Sequence, residues 1–450
     1  MIISYSKGTK TYNLYDLKKV RSKNIFTVIV GKNGSGKSRL LNGIIEPFLA
    51  PDLFRDHAKT KASEIAFTQP PQKIIAVSTS PYDKFPISKP YFLNKKYSID
   101  NNDTKSNYSY VGIRDIRSSD FSLGFMSKII KELLYVQFEK EDYGKIVRVL
   151  NYLGYSDELF LTFEIVITRG QINKLLDSPK HEYILQDIFM YRGPGKINIS
   201  FFDFPTRSSY LEKLDKLCAI LEKYNLRHFK GRQQVIMNAK FIQSDIQMDD
   251  LLFLMEAGIV KLRDVGIRKL SSQKVYRISE ASSGEQCIFT TFLGISSNIV
   301  DNSLIVIDEP EISLHPEWQE KYITLLIDTF QNYKNCHFII ATHSPQLVSR
   351  LSTENCYVLQ MDNGELKNAA DIANNSVDFQ LANVFESPGF KNEYLARISF
   401  SIISKVGKTN KFDKEDLNNF EVLKSQIKNL QKNDPILGLF ELIKELRRNG

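Results

Sequence analysis

The sequence predicts an α/β fold built around a buried parallel sheet. Three short runs of apolar and β-branched residues are typical of strands covered on both faces. These runs are Ile25–Val30, Leu304–Ile307 and Phe338–Ala341. The polar residues that follow each run supply the candidate functional site.

The first run leads into a glycine-rich loop, Gly31–Ser38, which matches the pattern GxxxxGK[ST]. Apolar residues at helical spacing come next, so the loop lies between a buried strand and a helix. The glycines let backbone N–H groups face the β- and γ-phosphates of a nucleotide, and the helix N-terminus adds partial positive charge. We expect Lys37 to bridge phosphate oxygens and the Ser38 hydroxyl to bind Mg²⁺. The loop predicts a P-loop NTPase that binds ATP with Mg²⁺ through Asn33, Gly34, Ser35, Gly36, Lys37 and Ser38.

The second run ends in Asp308-Glu309-Pro310. A carboxylate at the tip of a strand beside a P-loop can hold Mg²⁺, and its neighbour can polarise the attacking water as a general base. We therefore predict a metal-binding role for Asp308 and a catalytic role for Glu309. Acidic residues are common after strands, but the P-loop in the same chain makes this pair specific.

A serine and glycine motif, Ser282–Gln286, precedes the second run by about twenty residues and opens the helical run Cys287–Ile295. A hydroxyl and a glycine at a helix N-terminus form an anion site, so Ser283 and Gly284 are predicted to contact phosphate. The alternative is that this segment is a serine-rich cap of the helix and binds no ligand.

Two further motifs follow in order. Ser313–Pro316 lies just after Asp308-Glu309, and Thr342–Pro345 follows the third run. We predict that His343 hydrogen-bonds the γ-phosphate as a catalytic switch residue. A single histidine at a strand end is more often structural, but the order and spacing of all the motifs favour function.

The strings Ser303–Pro316 and Ala341–Pro345 resemble the SMC/RecF/OLD-type branch of the ABC ATPases. This resemblance covers roughly residues 1–112 and 263–365. Within that branch, Lys73–Pro86 and Cys336–Ile340 resemble the PtuA family, the ATPases of Septu anti-phage systems and of certain retrons.

The resemblance implies a homodimer that forms through the ATPase heads, with Ser283 and Gly284 capping the γ-phosphate bound by the other subunit. It also implies higher-order assembly, a separate nuclease subunit of the HNH type and, in retron versions, a reverse-transcribed DNA. The chain departs from the ABC pattern at the Q-loop, where a glutamine links the metal to the helical region. Gln69 follows Glu64–Thr68, whereas the better strand, Lys73–Val77, ends in Ser78-Thr79-Ser80. This departure puts the hydrolysis rate in doubt more than binding.

We predict four regions. They are an N-terminal lobe of the head (1–112), a large, mainly helical insertion (113–262), a C-terminal lobe (263–365) and a helical C-terminal region (366–450). Apolar residues at helical spacing mark much of the insertion, and the absence of sustained heptads favours a compact lid over a long coiled coil.

Two segments leave alternatives open. Arg207–Arg232 carries seven basic residues against three acidic ones, which is typical either of a solvated helix face or of a nucleic-acid backbone site. Near the C-terminus, Ile436, Leu439, Leu442, Ile443 and Leu446 form one side of a helix. That stripe packs either within its own domain or in the groove of a partner.

The composition is that of a soluble globular protein, with 42% apolar and 25% charged residues among 450. No apolar stretch is long enough for a membrane span, and no signal peptide is visible, so we expect a cytoplasmic protein without a membrane partner. The net charge of +8 permits a nucleic-acid partner without requiring one. The four cysteines form no CxxC pair and are expected to be buried thiols.

These features favour the ATP-binding and hydrolysing subunit of a bacterial anti-phage complex, in which head dimerisation controls an associated nuclease. The alternative is a RecF-like DNA-repair or chromosome-associated ATPase that binds DNA directly. A transporter subunit is disfavoured by the 245 residues between Ser38 and Ser283 (283 − 38) and by the string Pro310–Pro316.

Overall fold

The computed structural model describes residues 1–16, 23–49, 64–80, 82–87, 107–112, 126–127, 130–131, 134, 147, 150–151, 153–181, 183–189, 197–202, 207–226, 232–237, 242–312, 314–352 and 354–449. The chain forms two compact units. The first joins Met1–Phe85 to Val300–Gly450, and the second is Pro86–Ile299. The four regions predicted from the sequence remain predictions.

Fifteen strands lie in the described part of the chain. They are β1 (Ile2–Lys7), β2 (Lys10–Asn13), β3 (Ile25–Val30), β4 (Glu64–Phe67), β5 (Lys73–Ser78), β6 (Tyr108–Gly112), β7 (Tyr155–Ile165), β8 (Arg232–Met237), β9 (Ile242–Gln243), β10 (Val260–Lys269), β11 (Val275–Arg277), β12 (Ser303–Asp308), β13 (His337–Thr342), β14 (Cys356–Gln360) and β15 (Leu366–Asn368).

The helices with described bounds are, in chain order, α1 (Lys37–Ile45), α2 (Arg169–Asp177), α3 (Ile184–Phe189), α4 (Ile199–Phe202), α5 (Arg207–Lys223), α6 (Met248–Glu256), α7 (Ser283–Ser296), α8 (Pro316–Phe330), α9 (Pro345–Ser349), α10 (Val377–Asn383), α11 (Glu393–Thr409), α12 (Lys414–Gln426) and α13 (Pro435–Asn449). No helix in the described ranges is long and apolar enough to cross a membrane.

The first unit contains a mainly parallel sheet in the strand order β15-β14-β3-β13-β12-β5. Only β15 runs antiparallel to its neighbour. Every residue of β3, β12 and β13 is buried, which explains the mainly apolar sequences of these strands. The α/β P-loop NTPase fold class is thereby confirmed.

A three-stranded antiparallel sheet, β2-β1-β4, completes the strands of this unit. His337, at the start of β13, accepts the Ile2 N–H at 3.2 Å through Nδ1, and its Nε2 lies 2.9 Å from the Thr27 hydroxyl. Complete burial lowers the pKa of His337 to about 3. Both ring nitrogens are used within the core, so His337 is a structural histidine.

The C-terminal helices α11, α12 and α13 share one apolar core. Ile436, Phe440 and Ile443 are at most 3% exposed in that core, and Leu446 packs against it. Only Leu442 of the C-terminal stripe is strongly exposed, at 51%. The structure therefore supports packing within the stripe's own domain and not the interpretation of the stripe as a docking face. Helical spacing alone does not distinguish the two.

The second unit contains a five-stranded antiparallel sheet in the order β11-β10-β7-β8-β9. The predicted insertion is therefore not helical alone. In β7 the side chains of Leu159, Leu161 and Phe163 are fully buried, at every second position. This alternation marks a strand with one covered face, and the sequence analysis missed it because neighbouring segments have helical spacing.

The described lysines of the basic segment contact their own unit. Lys213 donates to the Phe201 carbonyl and lies over the Phe201 ring. Lys216 lies over the ring of Phe253, and Lys223 pairs with Asp250 at 2.8 Å. These contacts favour a structural role for the segment over a nucleic-acid site. The side chains of its three arginines and of Lys230 lie outside the described residues.

The four cysteines are all buried free thiols, as predicted. Among the described residues, no group of three His, Cys, Asp or Glu side chains is arranged to hold a metal ion on its own.

Candidate functional site

The site begins at one edge of the parallel sheet, where the carboxyl ends of its strands lie side by side. Val30 of β3 pairs with Thr342 of β13, and Asp308 of β12 pairs with both Ala341 and Ser78. This register brings the P-loop, the Asp308-Glu309 pair and His343 to the same edge.

The P-loop has the backbone geometry of a phosphate cradle. Gly34 and Gly36 have φ angles of +79° and +99°, a region that favours glycine. Gly36 is the N-cap of α1, and no side chain caps the helix there. The first N–H groups of a helix have no partner within the helix, so those of α1 are available for an anion. Asn33 and Gly34 are exposed, and Ser35 is half-buried.

Lys37 is the main cation of the site and is only 4% exposed. Its Nζ donates to the Gly31 carbonyl at 2.9 Å and lies 2.7 Å from His343 Nε2. Burial lowers the pKa of Lys37, while the negative charges of Glu309, Glu311 and Asp308 oppose that shift. The P-loop lysine and the predicted switch histidine are thus in direct contact.

Asp308 and Ser38 form the predicted metal-binding pair. The Ser38 side chain is hydrogen-bonded to Asp308, which is 4% exposed. Burial raises the pKa of Asp308 to about 6, and the charges of Glu309, Asp83 and Glu311 add to the shift. Asp308 Oδ1 is buried without a hydrogen-bond partner in the described part of the chain. An orphaned carboxylate oxygen beside a hydroxyl is a set of hard oxygen ligands and fits Mg²⁺.

Glu309 and His343 form the predicted catalytic pair. Glu309 Oε1 lies 3.2 Å from His343 Nε2. Burial and the nearby Lys37 charge lower the pKa of His343, whereas Glu309 opposes the shift. A neutral imidazole is therefore favoured near neutral pH, and it can accept a hydrogen bond from Lys37. Glu309 has a φ angle of +49°, a strained backbone of the kind that clusters at functional sites.

Asp83 is a candidate site residue that the sequence analysis did not single out. It follows β5, the strand paired with β12, and it is 4% exposed. Asn42 lies one helical turn after Ser38 on α1 and donates to the Lys84 carbonyl at 2.7 Å. This hydrogen bond holds the loop that carries Asp83 next to α1. Gln69 instead follows β4, in the three-stranded sheet. Asp83 has no local motif, so only the pairing of β5 with β12 identifies it.

The second unit carries the Ser283 and Gly284 motif at the N-terminus of α7. Ser282 is the N-cap and forms a capping box with Glu285. Tyr155 of β7 donates to Glu285 Oε1 at 3.1 Å, which fixes the first turn of the helix. Ser283 is exposed, so the first turn of α7 presents a hydroxyl to solvent, whereas Gly284 is buried.

The Ser313–Pro316 motif lies partly outside the described residues, which omit Ser313. Its His315 is the N-cap of α8, and its side chain accepts the Glu317 N–H. This contact gives His315 a structural role at the start of the helix.

Comparisons with known proteins indicate an ATPase. Residues 173–349 match the family model described as "AAA domain, putative AbiEii toxin, Type IV TA system". The chain is 36% identical over 93 residues to "Retron Ec83 probable ATPase" of Escherichia coli, across 20% of this chain and 16% of that protein. It is 27% identical over 166 residues to "Retron Vc95 probable ATPase" of Vibrio cholerae serotype O1 biovar El Tor, across 33% and 30% of the two chains.

The matched segments thus span less than a third of either relative's length. Among solved structures, an Smc head bound to the C-winged helix domain of ScpA aligns with 14% identity and a TM-score of 0.27, over 81% of this chain and 96% of that one. That score is too low to bear on the fold. The family and retron matches, together with the P-loop and the strand-end carboxylates, support an ATPase that is similar over part of its length to the probable ATPases of two retrons.

Proposed function

We propose that this protein is the ATP-binding and ATP-hydrolysing subunit of a retron-type anti-phage defence complex. The observation that carries the proposal is the meeting of Lys37, Ser38, Asp308, Glu309 and His343 at one sheet edge. The retron matches support the defence setting, and the PtuA resemblance supports the same class of system.

Each side chain has a distinct task in this proposal. Lys37 and the first N–H groups of α1 bind phosphate oxygens. Ser38 and Asp308 would hold Mg²⁺, which supplies positive charge against the phosphates. Glu309 accepts a proton from the attacking water, and the neutral His343 ring contacts the terminal phosphate.

Head dimerisation is the second part of the proposal. One subunit holds the nucleotide on its P-loop, and the exposed Ser283 hydroxyl with the first N–H groups of α7 caps the terminal phosphate from the other subunit. The capping box at Ser282 supports this role. The Ser282 side chain accepts the Glu285 N–H, which leaves the Ser283 and Gly284 N–H groups for a ligand. ATP would thereby stabilise the dimer, and hydrolysis would release it.

The dimer, in higher-order assembly, would control a separate nuclease of the HNH type, with reverse-transcribed DNA as the nucleic-acid component. With the C-terminal stripe buried in its own core, the 113–262 insertion is the next candidate for the nuclease contact.

A Glu309→Gln variant tests the catalytic assignment. The amide keeps the shape of the side chain but cannot accept the proton, so hydrolysis should fall by about 10²-fold or more while ATP–Mg²⁺ binding persists. Phosphate release and equilibrium nucleotide binding measure the two effects, with the exposed Glu317→Gln as a matched control. Parental turnover in the Glu309 variant would remove this residue from the base role.

Mixed dimers test pairing between heads. Ser283→Arg blocks the cap and Lys37→Ala removes the phosphate-binding cation, so each variant alone lacks an intact composite site. A mixture forms dimers in which one composite site is intact, and it should recover part of the parental phosphate release. No recovery from mixtures that demonstrably form mixed dimers would argue against head-to-head pairing.

A further inference from the structure

The strands β12 and β13 form a parallel hydrogen-bond ladder in which Asp308 lies opposite Ala341. The Glu309 N–H donates to the Ala341 carbonyl at 2.9 Å. In a regular parallel ladder, the next bond would run from the His343 N–H to the Glu309 carbonyl.

The chain reverses before that bond can form. Glu309 has a φ angle of +49°, Pro310 follows, and the Ile312 N–H donates to the Glu309 carbonyl at 3.3 Å. The His343 N–H donates instead to Glu311 Oε1 at 2.5 Å. The Thr342 side chain is also hydrogen-bonded to this carboxylate. The side chain of Glu311 thus replaces the backbone acceptor that the turn removes.

We propose that Glu311 is a positioning residue, whose carboxylate holds the His343 loop against the Glu309 loop and so sets the distance between Glu309 and His343. The proposal rests on the proposed ATPase function. The His343 ring lies 3.2 Å from Glu309 and 2.7 Å from Lys37, and the backbone N–H that Glu311 holds belongs to the same residue. A carboxylate is a stronger acceptor for an N–H group than a neutral oxygen.

The charge of Glu311 provides a second, separable contribution. Burial raises the pKa of Glu311, while the hydrogen bonds from His343 and Thr342 oppose that shift. Its charge also acts on Lys37 and Asp308. Glutamine keeps an acceptor oxygen in the same place without the charge, and alanine removes both. The two substitutions therefore separate positioning from charge.

The experiment compares Glu311→Ala, Glu311→Gln and the exposed control Glu317→Ala in the full chain. We expect Glu311→Ala to lower kcat by about 10- to 10²-fold, because a displacement of about 1 Å at a catalytic group has an effect of that size. ATP–Mg²⁺ affinity should change less than threefold. Glu311→Gln should retain at least a third of the parental kcat, and Glu317→Ala should match the parental protein.

Imidazole NMR signals of His343, assigned with a His343→Gln variant, provide a readout that does not depend on turnover. They should move in Glu311→Ala and stay near their parental positions in the other two proteins. Parental signals together with parental kcat in Glu311→Ala would overturn the proposal, as would a Glu311→Gln protein as slow as the alanine variant. If the parental protein does not hydrolyse ATP, the proposed function fails, while the NMR comparison still decides whether Glu311 positions His343.

Discussion

Replacement of Asp308 by asparagine is expected to stabilise the nucleotide-free protein at neutral and alkaline pH. Burial raises the pKa of Asp308 from 3.8 to about 6, so the folded state disfavours the ionised carboxylate. A folded-state pKa above the unfolded value means that ionisation destabilises the folded state as the pH rises. At 1.36 kcal/mol per pKa unit, ionisation of Asp308 lowers the free energy of unfolding by about 3 kcal/mol at pH 8, about 1.6 kcal/mol at pH 5 and about 0.5 kcal/mol at pH 4.

Urea unfolding of the parental and Asp308→Asn proteins across this pH range measures the effect. The free energy of unfolding of Asp308→Asn should exceed that of the parental protein by up to about 3 kcal/mol at pH 8, and the difference should shrink as the pH falls towards 4. Asp434→Asn is the matched control, because both Asp434 oxygens accept backbone N–H groups, from Lys391 and Ile436. In Asp434→Asn one of these two acceptors is replaced by an N–H₂ group, so its free energy of unfolding should fall by about 1–3 kcal/mol. An Asp308→Asn protein that is less stable than the parental one at pH 8 would refute the reasoning.

Two further predictions concern other parts of the first unit. Asp83→Asn removes a charge that raises the pKa of Asp308. The loss of unfolding free energy on raising the pH, which in the parental protein begins near pH 4 and levels off above about 6, should therefore be smaller in Asp83→Asn and should level off at a lower pH. An unchanged pH profile would show that the Asp83 charge does not act on Asp308. Deletion of Asp434–Gly450 removes Ile436, Phe440 and Ile443 from the C-terminal core, so the truncated protein should lose cooperative unfolding or solubility; Leu442→Ser, at an exposed position of the same helix, should not. A soluble truncation with parental stability would contradict the packing.

The strands of the parallel sheet were predictable because both of their faces are buried. β3 has the bounds expected from its apolar run, and β12 adds only Ser303 and Asp308 to the run Leu304–Ile307. The P-loop was equally accessible, because its glycines and Lys37 lie in one continuous segment whose local geometry determines its function.

Features that depend on contacts between distant segments were not predictable. Asp83 is placed by the pairing of β5 with β12, which lie more than 200 residues apart in the chain. Glu311 takes its role from the turn at Glu309, and the sequence does not encode the φ angle at that residue in a recognisable motif. The strand β7 was different, since its alternation was present in the sequence and was overlooked.

The balance of charge explains why nucleotide and metal are expected to bind together. The carboxylates of Glu309, Glu311, Asp308 and Asp362 all act on Lys37, so four negative charges act on one buried cation. The phosphates of free ATP would add negative charge to a site that already has an excess of it, and burial weakens screening by water. A divalent cation at Ser38 and Asp308 would offset this excess. Burial, together with the charges of Glu309, Asp83 and Glu311, raises the pKa of Asp308, so a positive charge beside this carboxylate would stabilise its ionised form. The buried carboxylates of Asp308 and Glu311, whose pKa values are raised in the nucleotide-free fold, would thus favour the metal–nucleotide complex over free ATP.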